Sequence, residues 1–213
     1  MSMNTNFQFS IFNFQKQRGF TLIETMVAVS ILSLAVAGPL VTASRAIVAA
    51  QTARDQLTAS YLAQEGIEYV RALRDEAFLA AYKPPSSADV SGTAWDSFTT
   101  QIESICLSPL SCTLDPARDM GYGSGFAIEP YSGNRPLYLT NCTSGTGGLS
   151  CDPEAIHIYT QQNFSGSVQT SFTRTIQVFH VSSTDERIVS TVSWNFHGIP
   201  YTVTVSGHLS PWQ

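Results

Sequence analysis

Apolar and polar positions divide the chain into stretches with different periods. Residues 1–19 have no period, contain no acid and close on Lys16-Gln17-Arg18-Gly19, which reads as a leader. Phe20 to Val41 form an apolar run of about 22 residues, enough for one helix to cross a hydrocarbon core of roughly 30 Å. Its small residues (Ala28, Ser30, Ser33, Ala35, Ala37, Gly38) suit close approach between helices. Gly38-Pro39 predicts a bend or a locally unwound turn, because Pro39 lacks a backbone donor and crowds the preceding turn.

The helical pattern continues over residues 42–83, rich in Ala, Leu, Gln, Glu and Arg, all good helix formers. Leu62, Tyr69 and Leu73 recur at helical spacing, and Ile67, Val70 and Ala77 widen the stripe. Glu68 with Arg71, and Arg71 with Asp75, are spaced to pair on the polar side. Pro84-Pro85 ends the helix. A helix of about 60 residues reaches on the order of 90 Å, so only its first third fits in a bilayer.

Residues 84–213 make up the remainder. Up to about residue 155 they read as loops, with Gly, Ser, Pro and all four cysteines. The last fifty or so alternate with period two, the mark of strands buried on one side. Ile188, Val192, Trp194 and Phe196 share one face of a strand; Tyr201, Val203, Val205, Gly207 and Leu209 share one face of the next. A third strand covers Phe172 to Val181, with turns at "SSTDE" and "HGIP". The fold class is α+β: a long N-terminal helix, transmembrane and then amphipathic, packed on a C-terminal antiparallel β-sheet. The striped half of the helix is the available cover for the sheet's apolar face.

At 213 residues the chain has room for one ordinary domain and an appendage. A formal charge of −5, with eleven scattered Lys and Arg, excludes the basic face that direct nucleic-acid binding needs. With the positive flank inside, Cys106, Cys112, Cys142 and Cys151 all fall on the outer, oxidising side, where disulfides form. Neither local spacing is the C-x-x-C of a zinc or redox site. Local bridges Cys106–Cys112 and Cys142–Cys151 are favoured among the three possible pairings, with free thiols as the alternative.

Nothing in the sequence assembles a catalytic centre or calls for a cofactor or metal. Met120 to Phe126 ("MGYGSGF") alternates its glycines without opening a helix, so it is neither a dinucleotide fingerprint nor G-x-S-x-G. The histidines, His157, His180, His197 and His208, form no metal-spaced helical pair. Asp152 and Glu154 beside a proline, and the sequons at Asn141 and Asn163, are patterns short enough to arise by chance.

Glu24 is the one residue that does not suit its surroundings. A charged acid in the middle of a membrane helix costs roughly 2.5–3.5 kcal/mol on insertion scales. "RGFTLIE", residues 18–24, resembles the cleavage and methylation site of type IV prepilins and type II secretion pseudopilins. The resemblance implies a membrane peptidase that cuts after Gly19 and methylates the new N-terminus at Phe20. It implies that Glu24, five positions into the mature chain, serves assembly with other pilin or pseudopilin subunits. "LAQEGIEYVRALRD" and "YTVTVSGHLSPWQ" resemble minor, type-V-like members, and the position of Pro39 differs from that of the helix-breaking proline of major pilins.

The implied organisation is a leader (1–19), a transmembrane and filament-core helix (20–41), its amphipathic continuation (42–83) and an extracytoplasmic pilin-like head (84–213). The implied partners are the prepilin peptidase/methyltransferase, other subunits, an inner-membrane assembly platform and, before assembly, membrane lipid. The protein then starts as a single-pass protein of the cytoplasmic membrane with its head outside, and ends in a cell-surface pilus or periplasmic pseudopilus. The alternatives are a conventional signal peptide cut near Ala37, where Ala35-Val36-Ala37 is a small-x-small site, and an uncleaved single-pass anchor.

Overall fold

A computed structural model describes residues 19–82, 90–114, 128–131, 135–145, 148–151, 158–163 and 165–211. The leader up to Arg18, Pro84-Pro85, the glycine-rich 120–126 stretch, Asp152, Glu154 and His157 lie outside the described residues. The chain divides into two compact units, residues 1–50 and 51–213.

Helix α1 spans Leu22–Ala81, with Pro39 inside it. The unwound turn expected at Gly38-Pro39 is not present. A proline costs the helix one donor and a crowded turn, and the long helix on both sides carries the structure across it.

In the second unit the helix buries Ala59, Leu62, Ala63, Gly66, Ile67, Val70 and Leu73, a stripe at three- and four-residue spacing. Tyr69 is only half-buried and donates its hydroxyl to Glu65 Oε1 at 2.5 Å. Glu68 and Arg71 pair as the spacing predicts, at 2.8 Å, while Asp75 is held by its neighbour Arg74.

A second helix, α2 (Val90–Cys106), occupies a stretch that composition had assigned to loop. Ala94, Trp95, Phe98, Ile102 and Cys106 are its buried residues, again at helical spacing. Strands β1 (Cys112–Leu114) and β2 (Ile128–Pro130) follow. Then come β3 (Tyr138–Thr140), β4 (Cys142–Gly145), β5 (Gly148–Cys151), β6 (Ile158–Thr160) and β7 (Val168–Gln169). The long strands are β8 (Thr173–Ser182), β9 (Asp185–Phe196) and β10 (Ile199–Leu209), within one or two residues of the expected positions.

The main sheet is antiparallel in the order β10-β9-β8-β1-β2, beside a three-stranded sheet β6-β3-β7 and the β4–β5 hairpin. His197 (φ 50°) and Gly198 (φ 81°) turn β9 into β10. Positive φ at both central residues is what a two-residue hairpin of matching twist requires.

The helices and the main sheet of the second unit enclose the core. Ile67, Val70 and Leu73 of α1 meet Trp95, Phe98 and Ile102 of α2 over Ile176, Val178 and Ile188. Nearer the N-terminus of α1, Ala59, Leu62 and Ala63 join Leu137, Phe172, Val192 and Trp194. The α+β expectation is therefore met, with the amphipathic part of α1 covering the antiparallel sheet.

One polar contact and one close approach hold α1 to the sheet. Arg174, almost fully buried on β8, donates to Glu65 Oε2 at 2.7 Å and to the Leu62 carbonyl at 3.2 Å. Gly66 lies so close to the sheet that a Cβ there would sit 2.5 Å from Ser190 Oγ.

Of the two favoured disulfides, Cys106–Cys112 is formed, with Cα atoms 4.9 Å apart. It ties the last residue of α2 to the first of β1. For the second, the β4–β5 register sets Cys142 opposite Cys151, and their side chains lie outside the described residues.

Candidate functional site

The processing and assembly residues implied by the sequence sit together at the start of α1. Gly19, Phe20 and Thr21 precede the first helical residue, Leu22, and all are exposed. The Gly19–Phe20 peptide is thus non-helical backbone open to solvent, and a Cβ on Gly19 would meet nothing within 4 Å. Phe20 is 76% exposed.

Thr21 caps the helix, its Oγ1 accepting from the Glu24 backbone N–H at 3.4 Å. Thr21-Leu22-Ile23-Glu24 therefore has the form of a capping box, with the acid at the third helical position. A carboxylate in the first turn also faces the positive end of the helix dipole. The placement of Glu24 is thus favourable locally, before any neighbour is considered.

From Thr25 to Val41 the helix is apolar on every side. Met26, Val29, Ile31, Leu32, Leu34 and Val36 are all exposed. A helix with no polar face belongs in lipid or among other helices. Its hydroxyls do not contradict that, because they are satisfied within the helix. Thr25 donates to the Leu22 carbonyl, Ser30 to Met26 and Ser33 to Val29, each at 2.8 Å. Thr42 donates to the Pro39 carbonyl at 2.9 Å. In hydrocarbon an unsatisfied hydroxyl would be costly; these have partners.

The head carries a second concentration of polar chemistry, which the sequence reading missed. His180 Nδ1 lies 2.6 Å from Glu186 Oε1 and 3.2 Å from Glu103 Oε1. His180 and Glu186 face each other across β8 and β9, and Glu103 comes from α2. Glu186 has no exposed surface. Its burial, against the opposing effect of the His180 hydrogen bond, pushes its carboxyl up to about 7, while the hydrogen bond to Glu186 raises His180. His208, on the outer face of β10, has a separate partner in Asp185 at 3.0 Å. No local spacing could have revealed the cluster, since Glu103 and His180 are 77 residues apart.

Gly19, Phe20 and Glu24 are brought together by simple succession at a helix start, and Cys106 and Cys112 by folding. Residues 14–38 match the family model described as the prokaryotic N-terminal methylation motif. The match spans Gly19, Phe20, Glu24 and the apolar run as far as Gly38. No curated protein and no solved structure matches the chain.

Proposed function

We propose that this chain, whose methylation motif is the prepilin-type signature and marks it as a type IV pilin- or pseudopilin-like protein, is a minor structural subunit of a type IV pilus or related pseudopilus. The observation that carries the reading is the motif itself, placed at the head of a helix that exposes apolar side chains all round. The leader stays in the cytoplasm, and a prepilin peptidase cuts the accessible Gly19–Phe20 bond. The new amine on Phe20 is methylated. An inner-membrane assembly platform then draws the helix from lipid into a bundle with other subunits. The chain is the substrate of that chemistry rather than a catalyst, and its likeness to minor, type-V-like members over residues 62–75 and 201–213 supports a minor role.

Glu24 acquires its purpose in the bundle. Cleavage leaves a cation on Phe20, and a buried charge is tolerable when paired and costly when alone. A carboxylate on a neighbouring, axially staggered helix neutralises that cation at one register, so Glu24 selects the stagger more than it adds stability. The capped first turn supports this reading by fixing the backbone of Glu24 in the first turn of the helix.

Intact-mass and N-terminal peptide mass spectrometry of the protein from its native membrane fraction tests the proposal. A mature chain beginning at methylated Phe20 is the expected result. A chain beginning at Gly38 would replace it with ordinary secretion; the position of the Ala37–Gly38 bond inside unbroken α1 speaks against that cut. A chain retaining residues 1–19 would leave an uncleaved anchor.

A further inference from the structure

The assembly reading leaves the Glu103–His180–Glu186 cluster without a role. We propose that these three side chains bind one divalent transition-metal ion, zinc foremost, through His180 Nδ1 and one carboxylate oxygen from each glutamate.

The three potential ligand atoms lie within 4.8 Å of one another and come from three elements, α2, β8 and β9. Zinc bonds of about 2.0–2.1 Å in tetrahedral geometry put neighbouring ligand atoms roughly 3.3 Å apart. The Glu103–His180 separation of 3.2 Å already fits. The His180–Glu186 separation of 2.6 Å has to open by about 0.7 Å to reach that spacing, a movement available to a half-exposed imidazole.

A hydrogen bond between His180 and Glu186 does not by itself account for the site. Glu186 is completely buried, and the second oxygen of the same carboxylate, Oε2, has no hydrogen-bond donor among the described residues; Glu103, also within hydrogen-bond reach of Glu186, is itself a carboxyl. Buried polar atoms are nearly always satisfied, and a buried carboxylate calls for a cation. Glu103 sets a second carboxyl beside it, so the two acids either share a proton alongside His180 or are neutralised together. A divalent ion neutralises both.

The fold supplies the aim. Glu186 occupies an inward position of β9, in line with buried Ile188 and Ser190, and His180 continues the inward series Arg174, Ile176, Val178 at the open end of β8. The register shifts between His180 and Ser182, and such irregularities commonly re-aim a side chain. His180 and Glu103 are partly exposed, which leaves a path for the ion.

The donor set chooses the metal. Mg²⁺ and Ca²⁺ prefer all-oxygen shells, whereas one imidazole with two carboxylates suits zinc and its transition-metal neighbours. Three protein ligands leave a position for water. The ion would clasp the C-terminal part of α2 to the β8–β9 hairpin.

The test is isothermal titration of zinc chloride, alongside magnesium chloride, into the untagged full-length chain in detergent after chelation and dialysis. Wild type should bind one zinc per chain and unfold at a higher temperature with zinc, and should not respond to magnesium. Loss of an outer-shell partner typically weakens a metal site by about 10–100-fold, so Glu103→Gln and His180→Ala should each weaken zinc by at least about tenfold. His208→Ala should leave binding unchanged. Glu103→Gln is isosteric and partly exposed, so it keeps the test decisive if His180→Ala does not fold. No zinc binding by wild type, or equal binding by wild type and Glu103→Gln, would overturn the site.

Discussion

One methyl group at Gly66 measures how closely α1 lies on the sheet. In an exposed helix interior Gly→Ala gains about 1 kcal/mol. Here the new Cβ would meet Ser190 Oγ at 2.5 Å and Arg174 Cδ at 3.2 Å, both on buried residues. Overpacking of that kind costs about 1–3 kcal/mol, so Gly66→Ala should lower the unfolding temperature. In a Ser190→Ala background the nearest obstacle is gone, and the same substitution should cost less; an unchanged cost in that double-mutant cycle would refute the contact. Arg174 is the opposite case, a residue needed for what it brings. Breaking a buried ion pair costs about 3–5 kcal/mol, and Arg174→Ala should lose stability toward the lower end in chemical denaturation, because Glu65 is partly exposed.

The Glu186–His180 pair adds a pH dependence with a definite sign. The folded state holds the Glu186 proton up to about 7 and raises His180 as well. Both groups bind protons more tightly folded than unfolded. Their contribution is complete below the unfolded carboxylate value, and it is lost as pH rises through about 7 and then past the raised imidazole value. Denaturant titrations in chelator should therefore show a less stable head at about pH 8 than at about pH 5, with Glu186→Gln flattening the difference.

Among the elements, the ones readable from sequence were those with a long, uninterrupted period. Strands β8 to β10 declared themselves by alternation, and α1 by its length and its stripe. Helix α2 did not. Its Trp95, Phe98 and Ile102 have helical spacing, but Gly, Ser and Thr around them and prolines upstream dilute the signal over only 17 residues. Burial against α1 and β8 makes that segment a helix, so tertiary contacts overrode weak propensity.

The Cys106–Cys112 bridge then holds the end of α2. Its cysteines are six positions apart, a loop worth about 2 kcal/mol on the loop-entropy model. Replacing both cysteines with Ser should lower stability by about that amount in denaturant titrations under non-reducing conditions. The backbone register favours Cys142–Cys151 as the second bridge, and non-reducing peptide mapping should recover that link.

For the whole molecule, the proposed assembly role of Glu24 makes the clearest prediction. Glu24→Ala should leave membrane insertion intact, since it removes a charge from an apolar helix, and it should abolish co-assembly with the other subunits. Fractionation and cross-linking in the native membrane would show both. Normal incorporation of the variant would refute the register role.

Residue order alone determined the apolar helix, the methylation motif over residues 14–38 and the alternation of the three long strands. Each depends on neighbours a few positions apart, where side-chain periodicity and local chemistry act directly. Tertiary structure alone decided that α2 is a helix, that Gly66 touches Ser190, that Arg174 pairs with Glu65, and that Glu103, His180 and Glu186 converge. These are meetings between residues far apart in the chain, arranged by strand register and by helix packing over a shared core. No spacing along the chain encodes them.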